Sequence, residues 1–149
     1  MEFSEIRELL LRQHTEIKAI IRALECDALR VAGGDARALG ALEAQLGLLS
    51  GKFAVHTAAE REYVASIPLD AKRTTPERLK RLAELHAGAH DSMERAAAEA
   101  ADFGRLPTLR AAGALALVTA LREHMRVEEK YVLGHRVMLG DALLGELGG

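Results

Sequence analysis

The sequence predicts an all-α fold, an antiparallel up-down-up-down four-helix bundle, on three observations. Among 149 residues, 49% are hydrophobic, only 3% are aromatic and Trp is absent. Ala and Leu dominate and β-branched residues are few, which favours helix over sheet. Four stretches repeat apolar residues at spacings of three and four, the signature of a buried helical stripe. The connections between them are short, so consecutive helices should run antiparallel. The length suits one domain over residues 1–149, with the bundle at about 4–134 and a tail at 135–149.

The first helix is predicted from about Ser4 to Val31. Phe3, Leu10, Ile17, Leu24 and Val31 form its stripe, joined by His14 and Ile21. Ser4 is the expected N-cap and Gly33-Gly34 the stop. The second runs from about Asp35 to Ile67, with Leu39, Leu42, Leu46, Leu49, Phe53, His56, Glu60, Tyr63 and Ile67 inward and Pro68 ending it. A polar linker, Leu69 to Thr74, follows. Thr75-Pro76 opens the third helix as cap and first helical residue; Leu79, Leu82, His86, Ala89, His90, Met93 and Ala97 line its inner face, and it closes near Phe103-Gly104. Pro107-Thr108 opens the fourth, whose stripe is Ala114, Leu117, Leu121, His124, Glu128 and Tyr131 before Gly134. Residues 135–149 have the composition for a short fifth helix.

Charge and cysteine content narrow the function. Twenty basic residues against 22 acidic ones leave a formal charge of −2, and neither a basic excess nor a charged block points to nucleic acid. The one cysteine, Cys26, excludes an internal disulfide framework and fits a reducing, cytoplasmic setting; it is expected to be structural. The acidic start Met1-Glu2-Phe3-Ser4-Glu5 is unlike a signal peptide, and the apolar run Ala111 to Leu121 is too short to span a bilayer.

The stripes are not purely apolar. Five of the six histidines, His14, His56, His86, His90 and His124, fall on inward faces. His56 and Glu60, and likewise His86 and His90, are four residues apart, so each pair shares one helix face one turn apart. Their heights also agree. His14 lies ten residues after Ser4, His86 ten after Pro76, His56 eleven before Ile67 and His124 ten before Gly134. At about 1.5 Å per residue, all four stand roughly 15 Å from the same end of the bundle. A single buried histidine is ordinarily satisfied by backbone. Five at one level, with acids among them, require a cation, because neutral imidazoles have few donors to share.

These residues make up the pattern H…HxxxE…HxxxH…HxxxxE: His14, His56-Thr57-Ala58-Ala59-Glu60, His86-Ala87-Gly88-Ala89-His90 and His124-Met125-Arg126-Val127-Glu128-Glu129. The pattern resembles the hemerythrin, or HHE cation-binding, family over about residues 4–134. The resemblance implies a non-haem di-iron centre, two iron ions with a bridging oxo or hydroxo group. His86, His90 and His124 would hold one iron and His14 and His56 the other, with Glu60 and Glu129 bridging. The three-histidine iron would be closed and the two-histidine iron would keep one open position. At the last ligand, where the family often has aspartate, this chain has glutamate. Helix periodicity puts Glu128 about 40° from His124 and Glu129 about 140° away, so Glu129 as a ligand requires a local π-bulge that turns it inward.

The function implied is reversible dioxygen binding for sensing, storage or delivery, with a separate signalling or redox partner protein. Two other readings stay open: an enzyme acting on hydrogen peroxide or nitric oxide at the open iron, and a non-redox iron-buffering or metal-binding module. Leu121 matches the family's pocket-lining leucine, with Leu117, Phe53, Ile17 and Leu10 as neighbours. Tyr63 and Tyr131, seven residues after ligand histidines, are either aromatics of the core or donors to a bound ligand, and Met93 is a core filler.

Overall fold

A computed structural model describes residues 3–67 and 76–133, except the side chains of Arg78, Leu79, Leu82, Leu85 and Tyr131. The expected linker, the Thr75 cap, the Gly134 stop, His135 and the proposed fifth helix lie outside the described residues. The described residues form four α-helices: α1 (Phe3–Ala32), α2 (Leu39–Ser66), α3 (Pro76–Ala101) and α4 (Pro107–Val127). A π-helical turn, Glu128–Val132, continues α4. None of these helices is long and apolar enough to cross a membrane.

The boundaries follow local chemistry. Ser4 is inside α1 and does not cap it. At the other end the stop is a glycine in the left-handed region, Gly34 at φ 95°. There Asp35 N donates to Arg30 O and Gly34 N to Val31 O, both at 3.0 Å, which satisfies the last carbonyls of α1. Asp35 does not open α2 as expected. Its side chain accepts from Arg37 N and caps a short 3₁₀ turn, Ala36–Ala38, so α2 begins at Leu39. α3 stops at Ala101, two residues before the expected end. Pro107 occupies the first turn of α4 after an extended Leu106, because the residue before proline avoids helical angles.

Long-range contacts fix the topology. Along α1 and α2, Glu16 pairs with Lys52 and Gln13 with His56. Along α1 and α4, Glu25 pairs with Arg122 and Arg7 with the Leu133 carbonyl. One partner's number falls as the other's rises, so both neighbours of α1 run antiparallel to it. Arg110 of α4 meets the Ala100 carbonyl of α3 in the same sense. α3 and α4 approach closely at Gly113, where an added Cβ would lie 3.1 Å from Ala100 N. α2 and α3 are instead separated by an apolar cleft of about 640 Å³.

The buried stripe of α1 contains the expected Leu10, His14, Ile17, Ile21, Leu24 and Val31, with Ile6 and Ala28 in addition, while Phe3 is only partly buried. The core divides into two bodies. The larger contains Ile17, Ile21, Leu24, Leu42, Leu117 and Leu121; the smaller contains Ile6, Leu10, Tyr63, Ile67, Val132 and Leu133. The histidines lie in the layer between them. Cys26 takes no part in the packing expected of it; it is exposed.

Candidate metal centre

The level predicted for the histidines is realised. His14 Nε2 and His56 Nε2, 42 residues apart in sequence, are 3.3 Å apart, and both residues are fully buried. The ring centroids of His86 and His124 are 5.5 Å apart, those of His90 and His124 5.1 Å, and those of His14 and His56 4.8 Å. The rings thus gather as a triad, His86, His90 and His124, beside a pair, His14 and His56.

Two carboxylates stand between the triad and the pair. Glu60 Oε1 is 3.2 Å from His56 Nε2 and accepts from His124 Nε2 at 3.1 Å, while its Oε2 is 2.9 Å from His90 Nε2. Glu128 Oε2 is 3.3 Å from His14 Nε2, 3.5 Å from His56 Nε2 and 3.4 Å from His124 Nε2. Two sets of converging ligand atoms result, one from His56, Glu60, His124 and Glu128 and one from Glu60, His86 and His90. Glu60 is common to both.

The expectation for Glu129 is corrected. The inward carboxylate is Glu128, 1% exposed. The helix remains α-helical through Val127, and Glu128 N donates to His124 O, so Glu128 stands one regular turn beyond His124. The π-turn that was expected does occur, but it begins at Glu128, too late to rotate Glu129 inward. Glu129 instead holds the back of the buried His14. Its Oε1 accepts from His14 Nδ1 at 2.9 Å and also from Lys18 Nζ. On the neighbouring ring, Gln13 Oε1 accepts from His56 Nδ1 at 3.0 Å. With each Nδ1 protonated, both Nε2 atoms keep a lone pair for the centre, the usual way an outer partner fixes a ligand imidazole. Sequence periodicity already pointed to Glu128; the roles of Gln13 and Lys18 left no mark in the motif.

The donor set fits a cation. Glu60 Oε2, His90 Nε2 and both Glu128 oxygens are buried without a well-directed hydrogen bond. Leaving such atoms unsatisfied is costly, more so for charged groups. Nitrogen and carboxylate-oxygen ligands of this kind suit first-row divalent metals. Electrostatics agree. Burial opposes the charged form of His56, but its close contacts with the Glu128 and Glu60 carboxylates outweigh it and push the imidazole up to about 9. Burial also works against both carboxylates. The nearby nitrogens of His124, His56 and His90 nevertheless hold Glu60 far below the usual carboxylate range, and those of His14 and His56 hold Glu128 below it. At His86 burial dominates and favours the neutral ring. Without metal, then, a proton on His56 offsets part of the charge of the two acids.

This proton balance sets a pH optimum for the metal-free chain. The raised His56 contributes stability that is complete below its ordinary 6.5 and is lost as pH rises toward about 9. The depressed Glu60 and Glu128 contribute stability that is complete above their ordinary 4.5 and is lost as pH falls. Thermal melts in the presence of a chelator should therefore give a higher midpoint at pH 6 than at pH 4 or pH 9. A midpoint that climbs steadily to pH 9 would contradict the assigned protonation.

Of the expected pocket residues, Phe53, Leu117 and Leu121 line the cleft between α2 and α3. The Phe53 ring is 5.2 Å from that of His90 and 6.4 Å from that of His124. Ile17 packs in the larger core, whereas Leu10 lies across the histidine layer in the smaller one. Met93 is buried core. Tyr63 stacks on Phe3 at 4.7 Å and donates to the Val132 carbonyl at 3.0 Å. Burial pushes its phenol up to about 12, so its hydroxyl is engaged at the π-turn rather than offered to the histidines. The Tyr131 side chain lies outside the described residues.

Comparisons with curated proteins and with solved structures return no match. The sequence does match the hemerythrin HHE cation binding domain over residues 5–135. That span contains every histidine and carboxylate of the buried layer, so the chain belongs to the hemerythrin HHE cation-binding family.

Proposed function

We propose that the domain holds two iron ions and binds dioxygen reversibly, for sensing, storage or delivery. The observation that carries this reading is the division of the rings into a triad and a pair, with Glu60 within 3.2 Å of His56 of the pair and of His90 and His124 of the triad. His86, His90 and His124 would hold one iron, His14 and His56 the other, and Glu60 and Glu128 would bridge. Such a pair supplies two neighbouring one-electron reductants and, on the ion with fewer histidines, a position for a small ligand.

The chain's own residues set the terms. Glu129 with Lys18 aims His14, and Gln13 aims His56. Phe53, whose ring is 5.2 Å from that of His90, and Leu121 give the cleft an apolar wall on the side of the histidines. Five neutral imidazoles with two carboxylates put less negative charge on the metals than the four-carboxylate sets of ferritin-like di-iron proteins, which favours binding over oxygenation. A reducing cytoplasm, the setting that the free Cys26 suits, would keep the iron ferrous.

The test is anaerobic loading with ferrous iron followed by cycles of oxygen and its removal. Two irons per chain and a visible spectrum that appears with oxygen and disappears without it are expected. An irreversible change would overturn the carrier reading, and sustained oxygen evolution from added hydrogen peroxide would assign an enzyme instead. Leu121→Ala should shorten the lifetime of the reversible signal several-fold while leaving iron content unchanged, because a larger space beside His124 admits water and protons. An equal or longer lifetime in that variant would remove Leu121 from the pocket wall.

A further inference from the structure

The cleft between α2 and α3 extends well beyond the histidines. It runs from Arg61 and Thr57 of α2, past Phe53 and Leu121, to Arg110 near the start of α4. Arg110 and Leu121 are eleven residues apart on one helix, about 16 Å along its axis. At about 640 Å³ the cleft is within the range of small-molecule sites.

Arg110 is the unusual feature. It is only 2% exposed. Its Nε donates to the Ala100 carbonyl at 2.9 Å and its Nη1 to Glu43 Oε1 at 2.8 Å. The Phe103 ring covers its guanidinium at 4.7 Å. Nη2 is buried and has no acceptor, an arrangement that costs free energy until one arrives. Glu43 is a third exposed and can turn toward water, leaving the guanidinium to a second carboxylate in a charge-assisted contact. The remaining charged lining groups, Arg61 and Glu94, are exposed and of opposite sign.

We propose that this cleft binds a single-chain fatty acid. Its carboxylate would accept from Arg110 Nη2, and its alkyl chain would lie over Leu46, Leu49, Met93 and Leu117 toward Leu121. The length available is close to that of an extended twelve-carbon chain. The tail would end beside Phe53 and so occupy the apolar approach to the histidines. The proposal rests on the cleft and Arg110 and is independent of the reading of the metals.

The experiment is calorimetric titration with sodium dodecanoate below its micelle concentration, on metal-free and on iron-loaded protein. One site per chain is expected in both. Arg110→Lys, which keeps the charge but removes Nη2, should weaken binding at least tenfold. Glu43→Gln, which removes the competing carboxylate, should strengthen it several-fold, an effect that damage to the fold would not produce. Gly47 lines the cleft, and an added Cβ there meets nothing within 4 Å; Gly47→Phe should fill the space and abolish binding with an unchanged melting temperature. No saturable binding to the unaltered protein would overturn the proposal. So would dodecanol binding as tightly as dodecanoate, or full affinity in Gly47→Phe.

Discussion

Replacing Glu60 with alanine is expected to empty both of the proposed metal positions. Glu60 is the one residue shared by the two ligand groups: its Oε1 faces His56 and His124, and its Oε2 faces His90. Its loss removes an anion from each position at once and leaves the histidines without their acid. Metal analysis should fall from two ions per chain to none. The second readout is thermal. A metal that binds only the folded chain, present at about a thousand times its dissociation constant, adds about 4 kcal/mol, worth roughly 10 °C in a chain of this size. The unaltered protein should gain that shift on adding ferrous iron, and Glu60→Ala should gain nothing. A variant that still holds two ions would show that Glu60 is a neighbour of the metals rather than their bridge.

The histidine level could be read from the sequence because it depends only on rise per residue and on where the helices turn. Errors of one residue at Ser4, two at Phe103 and four at Asp35 moved helix ends by up to about 6 Å and left His14, His56, His86 and His124 within reach of one another. The outer partners were not legible for a different reason. Glu129, Lys18 and Gln13 sit at positions that a helical wheel assigns to the flank, and only the packing of α1 against α2 and the end of α4 turns them toward the rings. The cleft was legible in part only, through Phe53, Leu117 and Leu121; what opens it as far as Arg110 is the spacing of α2 from α3, which no single stripe encodes.

The carboxylate of α4 shows two sequence signals in conflict. Periodicity favoured Glu128, at the i+4 position from His124, and the family pattern favoured Glu129. With the helix regular through Val127, Glu128 is delivered to the layer by geometry alone. The π-turn then acts downstream. Leu133 N donates to Glu128 O at 2.8 Å, and Val132 and Leu133 are carried into the smaller core, where Tyr63 and Arg7 bind their carbonyls.

The two glutamates should therefore separate cleanly on substitution. Glu128→Ala removes a buried anion within 3.5 Å of three buried or nearly buried histidines and should cost at least one of the two proposed metal ions, together with the proposed oxygen-dependent spectrum. Glu129→Ala removes the acceptor at His14 Nδ1, and the expected loss is in affinity, about ten- to a hundredfold, the usual penalty for deleting an outer partner of a ligand histidine. At saturating iron its stoichiometry should still be two. Lys18→Ala should change affinity in the same direction and less, because Lys18 acts only through Glu129. If Glu129→Ala loses an ion at saturation while Glu128→Ala keeps both, the inward carboxylate has been assigned to the wrong residue. The helix would then have to rewind between His124 and Glu129 when metal binds.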